Sequence, residues 1–328
     1  MRNRQTKPSV GIVGGTGYTA GELLRILVNH PKVEIKFVFS RSNPGAAVTS
    51  AHTDLAGDLD LRFTNKLEPA DFLFLCLGHG VSRSFLAENP VGSETRIIDL
   101  GSDFRVNSTD DSGRQFVYGL PELRSAAIAE ARNIANPGCF ATAIQLALLP
   151  VVELLAPEHE IHVNAVTGST GAGRTLSETS HFSSRESNMS IYNPFTHRHL
   201  DEITATLKTL SPALPEINFI PVRGNFTRGI FASVYTRCRA DESEIRRRYE
   251  DYYADSPFTH VVGKAPCLKD ALNTNKCLLN ATCYGDRLLI VSVIDNLLKG
   301  ASGQAVQNMN LMAGFAADCG LRLKPSGF

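Results

Sequence analysis

In the stretch NPGCFATAIQLALLP, residues 136–150, a cysteine stands directly after Pro-Gly and ahead of an apolar run. The run 141–149 reads as a buried helix, with Leu146, Leu149 and Leu155 on one face. Cys139 then falls in the first turn, where unpaired backbone N–H groups and the helix dipole favour negative charge. A thiol so placed ionises below the free value of about 8.5, and the thiolate is the nucleophile. The same stretch also suits a small buried hydrophobe, the commonest fate of an unpaired cysteine. Its neighbours decide between the two.

NPFTHRHLDEI offers imidazoles at His197 and His199, and histidine is the side chain best placed to move protons near pH 7. Two histidines could also ligate a metal, but no third ligand stands at a telling spacing, so no metal is expected. DLGSDFR brings Arg105 to the end of a strand-like run, where it suits a phosphate oxygen pair. VTGSTGAGR, with Ser169 and Gly171, leaves another strand and lets backbone approach a nicotinamide ring or an oxyanion closely. At the other end of the chain, VGIVGGTGYTAGELLRIL places Gly14, Gly15, Thr16 and Gly17 between a strand and a helix, as a pyrophosphate site requires. The spacing departs from G-x-G-x-x-G, since Ala20 holds the third position and Gly21 follows it. After the second strand comes Phe39-Ser40-Arg41-Ser42, with a guanidinium and no carboxylate. An acid there would bind the ribose 2′-OH of NAD, whereas arginine pairs with a 2′-phosphate, so NADP is expected.

These residues need a frame. Short β-rich runs at 10–13, 35–39, 72–77 and 97–100, with a weaker one at 133–135, alternate with helix-forming sequence such as 20–29. Such alternation builds a Rossmann-type, doubly wound parallel sheet of the α/β class. After the Cys139 helix the strands lengthen, at 161–167, 217–222, 229–238, 276–283 and 287–294, and Tyr284-Gly285-Asp286 makes the last two a hairpin. With a polar helix over 242–253, this half reads as an α+β domain with a largely antiparallel sheet. A last helix is expected at about 303–317. The expected domains are an NADP-binding domain at 1–137, completed by a C-terminal helix within 300–328, and a catalytic and oligomerisation domain at 138–299.

Composition narrows the partners. Lys+Arg and Asp+Glu both number 33 in 328 residues, so no basic excess points to nucleic acid or an anionic membrane surface. No apolar signal segment opens MRNRQTKPSVGIVGG, and no apolar run approaches the ~20 residues of a membrane span. Seven cysteines without a Cys-x-x-Cys pair suit reduced thiols in a cytoplasm rather than a disulfide framework.

Motifs spread from residue 11 to 310 resemble those of the N-acetyl-gamma-glutamyl-phosphate reductase family, the arginine-pathway relatives of aspartate-semialdehyde dehydrogenase. They are GGTGYTAGELLRIL, FSRS, LGHG, DLGSDFR, VYGLPEL, NPGCFATA, GSTGAGR, HRHLDEI, RGIFAS and DNLLKGASGQAVQNMN. The resemblance implies that Cys139 is the catalytic cysteine, that His199, or failing it His197, is the acid–base, and that Arg105 binds the leaving phosphate. It implies cofactor contacts at Gly14, Thr16, Gly17, Ser40, Arg41 and Gly78, with Asn296 and Lys299-Gly300 near the cofactor. It also implies NADPH-dependent reduction of an N-acyl-L-glutamyl 5-phosphate through a cysteine thioester, by a homodimer or homotetramer. Reduction of aspartyl phosphate or a carrier-linked aminoadipyl phosphate, and a non-catalytic NADP-binding regulatory protein, are the competing expectations. Two departures stand out. TAGEL replaces the TGAEL of many members, and Val222-Arg223 replaces a His-Leu pair. Arg223 would favour an N-acyl group larger or more acidic than acetyl, such as succinyl; Arg174, Arg223 and Arg228 are the candidates for the α-carboxylate.

Overall fold

Val, Ile, Leu and Phe fill the apolar runs of the first half, and runs apolar on both faces pair as the inner strands of a parallel sheet. The computed structural model describes residues 7–326. The chain divides into two units, one reaching to Asn136 and joined by Ser302–Arg322, the other formed by Pro137–Ala301 and the residues from Leu323.

The first unit opens with β1 (Ser9–Val13), α1 (Tyr18–Leu27), β2 (Glu34–Phe39) and β3 (Phe63–Thr64). It continues with β4 (Phe72–Leu75), α2 (Ser82–Glu88), β5 (Arg96–Asp99), β6 (Val117–Tyr118), α3 (Pro121–Glu130) and β7 (Asn133–Ala135). The strands lie in the order β3-β2-β1-β4-β5-β7-β6, all pairs parallel. The order reverses between β1 and β4, and ligands of such sheets bind beyond the carboxyl ends of strands at that crevice. The glycine turn sits there. Helix α1 starts and ends two residues before the expected 20–29, and Pro31, which disfavours the helical region at His30, bounds it on the C-terminal side. Strands β3 and β6, two residues each, are too short to carry a periodic signal.

The second unit begins with α4 (Cys139–Leu148), which runs through the interior: nine of its ten residues are buried. There follow β8 (Ile161–Thr167), α5 (Phe182–Arg185), β9 (Ser190–Ile191), α6 (His199–Lys208), β10 (Ile217–Arg223) and β11 (Ile230–Arg237). Then come α7 (Glu242–Tyr253), β12 (Thr259–Val261), β13 (Cys277–Tyr284) and β14 (Arg287–Ile294). The sheet order is β12-β13-β14-β11-β8-β10-β9, antiparallel except at β12–β13 and β8–β10. Alternation along β8 buries Ile161, Val163 and Ala165 on the face that carries the core, while His162 and Val166 point the other way. Helix α7 is largely polar and buries Ile245, Tyr249 and Tyr253, four apart on one stripe. Their hydroxyls close α4: Tyr253 donates to the Leu146 carbonyl at 2.6 Å and Tyr249 to that of Ala147, satisfying groups a helix end leaves open.

After β14, a π-turn (Leu298–Ser302) leads into α8 (Gly303–Met312), which returns to the first unit and packs on α3, α1 and β5. It ends at Met312 rather than near 317, because Gly314 takes a φ of +69° and reverses the chain. Asn308 on α8 donates to the Gly119 carbonyl (2.9 Å) and the Asn136 side chain (3.0 Å), fixing the residue that ends β7's loop.

Candidate active site

In the first unit, the turn after β1 needs its glycines. Gly14 has φ +80°, and a Cβ there would lie 2.3 Å from the Cys76 carbonyl oxygen. Gly17 precedes α1 and no side chain caps that helix, a start of the kind that suits an anion. A Cβ on Gly17 would meet nothing nearer than 3.6 Å, and one on Gly80 nothing within 4 Å, leaving an open approach suited to a dinucleotide. Ser40 is buried at the end of β2, with its hydroxyl 3.3 Å from that of Ser42. Arg41 pairs with Glu88 at 2.7 Å across an exposed surface, the kind of contact a stronger anion displaces at little cost.

Arg105 leaves the same carboxyl edge. Its Nε donates to the Asn136 carbonyl at 2.9 Å and an Nη to that of Leu100 at 3.1 Å. Asn136 is three residues ahead of Cys139 in the chain. Below lies Asp99, fully buried, accepting from Ser82 (2.6 Å) and the Gly101 amide (3.0 Å); burial pushes its carboxyl up to about 6. Asp103 accepts from the amides of Gly80 (2.9 Å) and Arg83 (3.1 Å), which ties the loop containing Gly78 to the DLGSDFR segment.

In the second unit, Cys139 is the first residue of α4 and half-buried, so the thiol stands in the first turn and is not entombed. Gly300 backs onto it: a Cβ at residue 300 would sit 2.7 Å from Cys139 Cβ. His197 and His199 are both buried and lean on Phe140, ring centroids 5.5 and 6.0 Å away, with 4.6 Å between the two imidazoles. His197 Nδ1 accepts the His199 amide at 3.2 Å, which places its own proton on Nε2. Burial pushes His197 down to about 4, so it is neutral at pH 7. Glu202 was not singled out by the motif reading, yet it is buried here, accepts the Gly138 amide at 3.1 Å and approaches His199 Nε2 at 3.8 Å. The i,i+3 step from His199 within HRHLDEI was the available signal. Tyr192, also missed, packs edge-on to His197 at 5.6 Å, and burial with the nearby charge of Cys139 pushes its phenol upward.

The three candidate arginines diverge. Arg223 stacks its guanidinium 4.8 Å over the Tyr192 ring and reaches Thr179 at 3.4 Å, while its Nε is buried without a hydrogen-bond partner. Arg228 is committed to the fully buried Asp295, through Nε at 2.9 Å and Nη2 at 3.1 Å, which makes it a structural pair. Arg174 lies exposed on the loop after the Ser169–Ala172 turn. In that turn the amides of Ser169 and Gly171 are spent on Phe226 (2.9 Å) and Gly168 (3.2 Å), so it presents surface rather than N–H groups. Asn296 is likewise occupied, accepting from the Gly229 amide (2.6 Å) and donating to Thr170 (3.1 Å).

Residues 9–131 match the NAD binding domain of semialdehyde dehydrogenase, and residues 139–296 match its dimerisation domain. The N-acetyl-gamma-glutamyl-phosphate reductase of Parabacteroides distasonis is 54% identical over 321 residues, spanning 97% of this chain and 99% of its own. That of Flavobacterium johnsoniae is 54% identical over 323 residues, spanning 98% and 99%. The chain belongs to the N-acetyl-gamma-glutamyl-phosphate reductase family. Among solved structures, aspartate semialdehyde dehydrogenase II of Vibrio cholerae, complexed with ASA, matches with a TM-score of 0.73 at 19% identity, over 94% of this chain and 99% of that one. The Candida albicans enzyme with NADP matches at 0.68 and 13%, over 94% and 99%. At these identities the likeness is one of fold: a parallel dinucleotide-binding sheet followed by a mixed sheet. The reductase family is thus a branch of the phosphorylating semialdehyde dehydrogenases, oxidoreductases with a nicotinamide-dinucleotide domain in front.

Proposed function

We propose that this chain reduces an N-acyl-L-glutamyl 5-phosphate to the 5-semialdehyde, with NADPH as reductant and a thioester on Cys139 as intermediate, in arginine biosynthesis. One observation carries the reading: a half-exposed cysteine heads a buried helix, and two buried imidazoles rest on the residue that follows it. The Cys139 thiolate attacks the acyl carbon, forming C–S as the C–O bond to phosphate breaks. Arg105, aimed by two carbonyls, takes the phosphate that leaves. The glycine turn, Ser40 and Arg41 would hold NADPH, which when bound would supply the hydride. His199 then gives a proton to the oxygen of the thiohemiacetal and takes it back as the C–S bond breaks, returning the thiolate. His199 is preferred to His197 because His197 is held neutral, its Nδ1 filled by a backbone amide. Cys139→Ser should bind NADPH normally and lose more than ~10³-fold in turnover; substantial activity in that variant would rule out the thioester.

Arg223 supports a finer reading of the acyl group. A buried, unpartnered Nε suits a second carboxylate, and hence an N-succinyl rather than an N-acetyl substrate. Comparing kcat/KM for the two phosphates tests this, a clear acetyl preference counting against it. The open face of the second unit's sheet, where Ile220 and Tyr235 flank His162 and the exposed Phe195, supports a homodimer or homotetramer in which a second copy covers it. Among the described residues no helix is long and apolar enough to cross a membrane, and a cytoplasmic enzyme with reduced thiols is proposed accordingly.

A further inference from the structure

Glu202 takes no part in the reaction as written, yet its carboxylate is only 3% exposed and lies against His199 and the residue before Cys139. A buried carboxylate is costly unless positive charge faces it. Here one oxygen accepts the Gly138 amide at 3.1 Å, at the positive end of the ten-residue α4, and the other stands 3.8 Å from His199 Nε2. Its own backbone carbonyl accepts from Gln145 of α4 at 3.3 Å, which fixes α6 against the helix that Cys139 heads.

We infer that Glu202 is a positioning residue whose carboxylate keeps His199 in its charged, proton-donating form and holds the Pro137–Gly138 peptide that leads into Cys139, so that one side chain sets both acid and nucleophile. The inference rests on the roles of Cys139 and His199 proposed above. The elements packed around α6 bring Cys139 from α4, Tyr192, His197 and Arg198 from the segment before it, and Arg223 from β10. His197 is neutral, Arg198 bears on His197, and Arg223 bears on Tyr192. Glu202 favours a positive charge on His199, and an opposite charge within about 4–6 Å moves a titration by about 1–3 pH units.

Glu202→Gln tests this, since the amide keeps the size and the oxygen that can accept the Gly138 N–H while removing the charge. In the reductive direction His199 must enter the step protonated, so turnover falls as pH rises through its titration. Glu202→Gln should bind NADPH as wild type does, lower kcat with KM little changed, and shift the basic limb of the kcat–pH profile down by about 1–3 units. Glu202→Asp, which restores the charge, should move the limb back toward wild type, and it carries the test if the Gln variant does not fold. A Gln profile that is wild type scaled by one factor at every pH would overturn the inference. His199→Gln separates the two failures. If it keeps turnover and the basic limb, the acid–base assignment is wrong; if it abolishes turnover while the Glu202→Gln limb stays put, only the role given to Glu202 falls.

Discussion

A single methyl group at residue 300 probes how closely the nucleophile is held. In Gly300→Ala the new Cβ would lie 2.7 Å from Cys139 Cβ and 3.2 Å from its Cα, where ordinary contact begins at 3.4 Å. One partner must therefore move by about 0.7 Å. The π-turn has little room to retreat. Gly300 donates to the Asp295 carbonyl at 3.0 Å, and Asp295 is locked by Arg228 and by the amides of Asn273 (2.7 Å) and Leu297 (2.9 Å). The displacement thus falls on Cys139 and the start of α4. Misplacing a reacting atom by about 1 Å costs about 10²-fold in rate, or about 2.7 kcal/mol of barrier. Overpacking adds about 1–3 kcal/mol of lost stability. The assay is steady-state turnover in both directions on folded protein, with NADPH affinity followed by fluorescence. Turnover should drop by one to two orders of magnitude, about 10–10²-fold, with cofactor affinity unchanged. Turnover within twofold of wild type would show that Gly300 does not set the sulfur's position.

Other perturbations reach other parts of the account. Arg41→Asp removes a charged hydrogen-bond partner worth about 1.5–3 kcal/mol, so NADPH affinity should fall about ten- to hundred-fold more than NADH affinity; equal losses in titrations of the two would defeat the assignment. Asp295→Asn leaves Arg228 without its buried partner and should cost about 3–5 kcal/mol in urea unfolding, whereas a change under 1 kcal/mol, within the range of about 0–1 for exposed pairs, would mean the pair behaves like a surface one. His197 has a folded pKa near 4 against 6.5 for the free side chain, so the unfolded chain binds the extra proton between those values. Stability that is whole above about pH 6.5 is therefore lost as pH falls toward 4, by up to about 3 kcal/mol relative to His197→Gln; parallel curves for the two proteins would refute it. Asp99 works the other way. Its folded value is raised to about 6 from 3.8, so its contribution is present at low pH and lost as pH rises through 6, and Asp99→Asn should be more stable relative to wild type at pH 7 than at pH 4.

Local signals were legible where periodicity and punctuation agreed. The glycine turn, the strand ending in Asp99 and the Pro-Gly before Cys139 each announce an element boundary within a few residues. The last helix was read too long because apolar residues continue past Met312, and only the left-handed Gly314 ends it. Site residues were legible as types but not as partners. Arg223, Arg228 and Arg174 look alike in the sequence, yet Asp295, sixty-seven positions on, claims one of them, and Tyr192 stacks against another. Asn296 looked available to a cofactor until the Gly229 amide took its oxygen. Glu202 offers only its i,i+3 step from His199 as a signal, because a buried carboxylate acquires its fuller meaning from what it faces across the fold.

The covalent step is the center of this account, and it can be caught directly. Enzyme mixed with the acyl phosphate but no NADPH, quenched in acid and mapped by peptide mass spectrometry, should carry an N-acylglutamyl group on the peptide containing Cys139. One phosphate should be released per active site, and hydroxylamine should remove the adduct. An unmodified Cys139, with no phosphate released until NADPH is added, would contradict the thioester and everything built on it.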